Sequence, residues 1–212
     1  MIHRVTLIVA LVVCTTAPLE GQVRVGLSAF LGGYLPANNL FESVRLGDTD
    51  QPIILNLGHE PGIVGGGRLT VRLSRFALEA EAGYALANLD IPSAVADEIP
   101  GDASIFLGSL AVLYDVYRAP FSPLSIYLVG GGGLVARAGD FFDALEGTTD
   151  LAGTLGLGFR IGLAPAVFLR FDLRDYISSW APRARDGFQF DSQLQSELIG
   201  TIAVEFSLTP SQ

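Results

Sequence analysis

Residues 63–86 alternate apolar and polar side chains through two arms and one tight turn. In the first arm, residues 63–74, Ile63, Leu69, Val71 and Leu73 fall on one parity, and Arg68, Thr70, Arg72 and Ser74 on the other. In the second arm, residues 76–86, Phe76, Leu78, Ala80, Ala82, Tyr84 and Leu86 oppose Ala77, Glu79, Glu81 and Gly83. Successive side chains of a strand point to opposite faces, so this stretch predicts a hairpin with two unlike faces. One face is wholly apolar. The other sets two arginines against two glutamates. Alone, the hairpin does not say which face meets solvent, and the rest of the chain must decide that.

The same period of two recurs along the sequence. Strands are expected at 23–34, 63–74, 76–86, 103–117, 124–137, 151–163, 166–176 and 193–208. In the fourth, Phe106, Leu110, Val112, Tyr114 and Val116 share the apolar face, and Ser109, Ala111 and Asp115 the other. In the fifth, Leu124, Ile126, Leu128 and Leu134 share a side, but the run Gly130 to Gly133 leaves its facing open. The connections alternate long and short. Residues 35–60, 88–102, 138–150 and 177–192 are long and carry Asp in every case and Pro in all but the third, whereas 74–75, 118–123 and 164–165 are short. Eight strands joined in this way form an antiparallel up-and-down meander with all long loops at one end. Each strand reaches the roughly 9–11 residues that cross a bilayer at a tilt. The charged face is too polar for a dry core, and the apolar face is too wide to leave in water. The barrel is therefore expected inside out, with apolar side chains toward lipid and charges toward the lumen. Closure also removes the sheet edges that lipid cannot satisfy.

Composition agrees. Half of the 212 residues are apolar and 25 are Gly. The mean hydropathy is +0.44, yet no run of about 18 uncharged apolar residues could form a spanning helix. Residues 1–21 have the form of a secretory leader, with His3 and Arg4 ahead of an apolar run and small residues before Gln22. Cleavage after Gly21 is expected, leaving 22–212 as the barrel domain. Cys14 is the only cysteine, and Val13 precedes it where a lipidation signal wants a small residue. The mature chain would then be exported without disulfides. A net charge of −9 argues against nucleic acid as a partner.

Strand pattern, loop asymmetry and leader together resemble the small outer-membrane β-barrel proteins of Gram-negative-type bacteria, the eight-stranded OmpA- and OmpX-like group. The likeness spans residues 23–208 and rests on architecture rather than on a motif. It implies an all-β, eight-stranded antiparallel transmembrane β-barrel, monomeric, in the cell outer membrane, with both termini in the periplasm. It also implies outer-membrane lipids and lipopolysaccharide as surroundings and the barrel assembly machinery as a partner in biogenesis. Phe206 is the last aromatic, and residues 207–212 run past it with no periplasmic domain expected to follow.

The residues expected to carry function are those assigned to the lumen: Arg24, Arg68, Arg72, Arg160, Arg170 and Arg174, with Glu79, Glu81, Asp115, Asp172, Glu197 and Glu205. An eight-stranded barrel is just wide enough for side chains to fill it, and an unpaired buried charge is costly. Six charges of each sign thus predict a salt-bridged plug, with a narrow ion path as the alternative. The long loops, counted with Asp175 at the end of the seventh strand, hold fifteen Asp and Glu against Arg45, Arg183 and Arg185. Such a crown suits divalent cations, although no dedicated calcium-loop spacing is present.

Enzyme signatures are lacking. His59 is the only His after the leader, with no serine placed to pair with it, and is expected at the surface. Glu79 and Glu81 have no nucleophile or His beside them. Gly65 to Gly67 and Gly130 to Gly133 lack the lysine and strand–helix context of a phosphate loop, and are expected to let the wall bend or to admit bulky luminal groups. No metal or cofactor is expected. Tyr34, Tyr84, Tyr114, Tyr117, Phe121, Tyr127, Tyr176 and Trp180 fit an aromatic girdle at the membrane interfaces. The chain is thus expected to be a non-enzymatic outer-membrane barrel with a structural or surface-interaction role. The alternatives are a small porin, a lipid-modifying barrel enzyme and a soluble ligand-binding barrel.

Overall fold

The computed structural model describes residues 23–38, 41–46, 53–90, 103–143, 145–146, 148–180, 183–184 and 193–209. The expected leader and its cleavage site lie outside them. Eight strands follow one another as β1 (Arg24–Pro36), β2 (Gly62–Leu73), β3 (Phe76–Leu86), β4 (Ser104–Arg118), β5 (Leu124–Ala138), β6 (Thr149–Ala164), β7 (Val167–Trp180) and β8 (Gln193–Ser207). Each pairs antiparallel with its neighbour in sequence. β8 returns to β1 through a register that runs from Gly26 opposite Ser207 to Pro36 opposite Glu197, closing the barrel. No strand edge is left for lipid.

The strands are those the alternation predicts, with ends displaced by up to four residues. The largest displacement is in β7, which continues to Trp180 rather than ending at Tyr176. There Ser178 and Trp180 carry the inward parity four and six residues beyond Arg174. The opening hairpin sets Arg68 opposite Glu81 and Thr70 opposite Glu79, with only Ser74 and Arg75 between the paired Leu73 and Phe76. Ser74 takes a left-handed backbone, φ 53°, which a two-residue hairpin loop demands. One extra residue, Val116, bulges from β4 between Asp115 and Tyr117. At the long-loop end, Phe41–Leu46, Ile53–His59 and Leu89–Asp90 form a small sheet of their own.

Orientation of the wall follows parity. Leu31, Leu69, Leu78, Tyr84, Leu110, Leu128, Leu155, Ile202 and Phe206 are exposed on the outside, whereas Arg68, Arg72, Glu79 and Glu81 are buried within. The fifth strand resolves the same way. Ser125, Tyr127, Val129, Val135 and Arg137 point inward, and Gly131 and Gly133 occupy inward positions between them. A Cβ on Gly131 would stand 2.3 Å from the Leu110 carbonyl oxygen, and one on Gly133 would stand 2.1 Å from that of Gly108. These two glycines therefore let β5 fold tightly against β4 at the curve of the wall.

The aromatic girdle needs correction. Tyr84, Tyr114, Tyr117 and Phe121 are exposed, but Tyr34, Tyr127, Tyr176 and Trp180 are buried inside. Their parity places them there: Tyr34 follows Ser28 and Phe30, and Tyr176 follows Arg170, Asp172 and Arg174. Each of the three tyrosines gives its hydroxyl to a luminal carboxylate.

Candidate functional site

Three strands carry the centre of the lumen. β2 contributes Arg68 and Thr70, β3 contributes Glu79 and Glu81, and β7 contributes Arg170, Asp172 and Arg174. All six charged side chains are wholly shielded from solvent. Arg68 holds Glu81 through Nε and Asp172 through Nη1 at 2.8 Å, and donates from Nη2 to Thr201 Oγ1 at 2.9 Å. Arg170 reaches Glu79 at 2.6 Å, Asp172 at 3.1 Å and Glu205 at 3.2 Å, and its Nε donates to the Tyr127 hydroxyl at 3.0 Å. Arg174 donates to Glu79 at 2.5 Å and to Asp172 at 3.0 Å. Its Nη1 stands 2.9 Å from Glu81 in ionic contact, without hydrogen-bond alignment. Thr70 and Tyr127 each donate at 2.7 Å, to Glu79 and Asp172, and Tyr176 donates to Glu81 at 2.7 Å. Three cations thus face three anions in a dry belt, where every carboxylate has at least two donors. That is the condition under which buried charge is tolerated.

Small residues make room for this belt. A Cβ on Gly66 would lie 2.6 Å from the Phe30 ring, over which the Arg68 guanidinium sits at 4.3 Å. Toward the long-loop end, Phe30, Val64, Ala85, Ile105, Leu107, Val135 and Ile199 form an apolar layer above the belt. Beyond it Arg137 pairs with Asp150 at 2.8 Å and with Glu197 at 2.7 Å, and Tyr34 donates to Glu197. Arg137 also lies over the Trp180 ring at 5.1 Å.

The sequence reading missed Arg137, whose facing the glycine run hid. It assigned Asp150 to the loop crown, but β6 begins at Thr149 and puts Asp150 on luminal parity. His59 is likewise corrected from surface to interior. It is 6 % exposed, stacked on Phe142 with ring centroids 5.8 Å apart and edge-on to Tyr34 at 6.2 Å. Burial, aided by the Arg137 charge, pushes its pKa down to about 3, so the imidazole is neutral.

At the short-turn end the lumen opens. Asp115 receives Arg72 at 2.9 Å and Arg118 at 2.6 Å, and Arg160 pairs with Glu205 at 2.9 Å while lying over Phe168 at 3.3 Å. Arg24 stands on the inward parity of β1 but is exposed at this mouth and makes no ion pair among the described residues. The remaining eleven side chains assigned to the lumen by parity all enter ion pairs there. Seven of the fifteen residues of the acidic crown, Asp48, Asp50, Asp97, Glu98, Asp102, Asp186 and Asp191, lie outside the described residues. Of its members, Asp175 sits on the outer side of β7 and accepts a hydrogen bond from Ser196 at 2.8 Å.

No protein-family model matches the sequence, and no curated protein matches it. Solved structures do. The crystal structure of Neisserial surface protein A aligns with a TM-score of 0.55 and 13% identity, over 88% of this chain and 97% of that one. The outer membrane protein OprG from Pseudomonas aeruginosa aligns at 0.56 and 10%, over 90% and 99%. The outer membrane protein AlkL, solved in DMPC lipid bilayers, aligns at 0.57 and 15%, over 89% and 93%. The fold is that of the small outer-membrane β-barrels. In an outer-membrane barrel short turns face the periplasm and long loops the exterior. The open, arginine-lined mouth lies at the short-turn end of this barrel, and the His59–Phe142–Trp180 cluster caps the long-loop end.

Proposed function

We propose that this protein is a non-enzymatic barrel of the outer membrane that serves as a sealed structural and surface-interaction element rather than a conduit. One observation carries the reading: the belt of Arg68, Arg170 and Arg174 against Glu79, Glu81 and Asp172 fills the lumen with no exposed side-chain surface. An ion path would need hydrated charges, and these have exchanged water for one another. The apolar wall is matched to lipid, with lipopolysaccharide surrounding its outer half and the barrel assembly machinery needed for insertion. The monomer presents its acidic loops outward, where divalent cations bridging to anionic surface saccharide are the chemistry they suit.

The experiment is planar-bilayer recording of the refolded full chain, with folding checked by heat-modifiable gel mobility. The expected record is silent or shows brief, rare events. A steady open level of nanosiemens size would overturn the sealed-lumen reading and favour the small-porin alternative. Release of the protein from cells without detergent would overturn the membrane reading altogether.

A further inference from the structure

The short-turn mouth has a surplus of positive charge that the belt does not use. A cavity of about 690 Å³ opens there, lined by Arg24, Arg72, Arg118 and Arg160, with Asp115 at its floor and Phe168 on its side. Among the described residues only Asp115 and Glu205 oppose these four guanidinium groups, and Glu205 is shared with Arg170. Two further features make this more than a solvated rim. Arg72 is 7 % exposed, and its Nη1 is spent on both oxygens of Asp115 at 2.9 and 3.1 Å. Its Nη2 is buried and has no hydrogen-bond partner among the described residues. Arg160 is fixed by stacking on Phe168 at 3.3 Å and by Glu205, which takes its Nε at 3.1 Å and its Nη2 at 2.9 Å, so its guanidinium is held in place before any ligand arrives. A buried donor without an acceptor is expensive, and the guanidinium N–H groups left over from these pairs match the oxygens of a phosphoryl group.

We propose that this periplasmic mouth is a binding site for a phosphoryl oxyanion. Arg24 and Arg118 reach the ligand from the rim, Arg72 and Arg160 form the inner wall, and the hydroxyls of Ser74, Ser122 and Ser125 add neutral donors around the cavity. The volume accommodates a phosphate together with part of the molecule that bears it. Such a group could belong to a soluble phosphate ester of the periplasm or to the headgroup of an anionic lipid in the adjoining leaflet. The site is open on the periplasmic side whether or not the lumen conducts, so its test is separate from the bilayer recording.

The full chain, refolded in phosphatidylcholine nanodiscs, is titrated with inorganic phosphate while the amide NMR signals of Ser74, Ser122 and Ser125 are followed. Sodium chloride at matched ionic strength is the control. Saturable shifts confined to these residues are expected with phosphate and not with chloride. Arg24→Gln removes an exposed, unpaired side chain and should leave heat-modifiable mobility intact while weakening phosphate by about tenfold, the loss of one charge-assisted contact. A parallel series in phosphatidylglycerol nanodiscs separates the sources. Shifts already present there, with phosphate adding nothing, assign the oxyanion to lipid, and shifts that still require phosphate assign it to a soluble ester. Absence of saturable shifts in both lipid compositions, equal shifts with chloride, or unchanged phosphate affinity in Arg24→Gln would overturn the proposal.

Discussion

Replacing Arg170 by Met is the sharpest test of the luminal belt. Arg170 is wholly buried and contacts Glu79, Asp172, Glu205 and the Tyr127 hydroxyl. Without it, Glu79 keeps Arg174 at 2.5 Å, Asp172 keeps Arg68 at 2.8 Å and Arg174 at 3.0 Å, and Glu205 keeps Arg160 at 2.9 Å. No carboxylate is orphaned, but three cations against three anions become two against three in a site that water does not reach. Breaking a buried pair from one side costs about 3–5 kcal/mol, a large share of the roughly 5–15 kcal/mol that holds a typical domain together. Glu79→Gln should cost a similar amount by leaving the cations in excess. The double variant restores neutrality, so the two losses should fall short of additive by about 1.5 kcal/mol or more. Urea unfolding in phosphatidylcholine vesicles, read by emission of Trp180, the chain's single tryptophan, measures all three. Single losses below about 1 kcal/mol, or strict additivity in the double variant, would refute the dry, coupled belt.

Three further outcomes follow from other parts of the structure. Leu110 is 72 % exposed near the middle of β4, so Leu110→Arg should cost about 2–4 kcal/mol in vesicles; a loss near zero would mean that this face does not meet lipid. Ser74→Gly should stabilise the first turn by about 0.5 kcal/mol, the left-handed strain relieved at φ 53° less the added freedom of the unfolded chain; a clear loss in the urea midpoint would contradict it. His59 has a folded pKa of about 3, below the ordinary imidazole value of 6.5. The opened state therefore binds the extra proton between those values. The outer cap keeps its full stability above about pH 6.5 and loses up to about 1.4 kcal/mol per pH unit as the medium is acidified toward 3. Amide exchange around Tyr34 and Trp180 should rise at pH 4 and not in His59→Phe; equal exchange in both proteins would exclude His59 as the cause.

The barrel was legible in the sequence because two independent signals agreed: a period of two in each strand, and loops that alternate in length. The sign of the wall followed from charge, since Arg68, Arg72, Glu79 and Glu81 have no acceptable place against lipid. Legibility failed where a residue type fits two environments. Tyrosine suits both an interfacial girdle and a luminal hydrogen bond, and position near a strand end points to the first where parity puts Tyr34 and Tyr176 inside. Arg137 was hidden by four glycines that carry no facing information, although Ser125, Tyr127 and Val129 before them fix the phase once the strand is known to continue. Asp150 was lost to a boundary two residues too late. His59 had no local signal, because it is buried by Phe142 and Tyr34, which come from distant parts of the chain.

The order of the layers bears on function more than any one of them. From the short-turn end the lumen presents an open cationic mouth, then the neutral belt, then apolar side chains around Phe30, Leu107 and Val135, then the Arg137–Glu197–Asp150 cluster beneath Trp180. These closures are in series and chemically unlike. Thinning the belt alone leaves the apolar layer dry, so Arg170→Met should weaken the fold without opening a path, and its bilayer record should stay as silent as that of the parent protein. A pore that opened in this variant would show that the belt is the only seal. Silence would show that stability and closure are separate properties of this lumen, the first resting on paired charge and the second on every layer at once. The two ends would then act independently: the mouth toward periplasmic oxyanions, and the loops toward the exterior, with no solute passing between them.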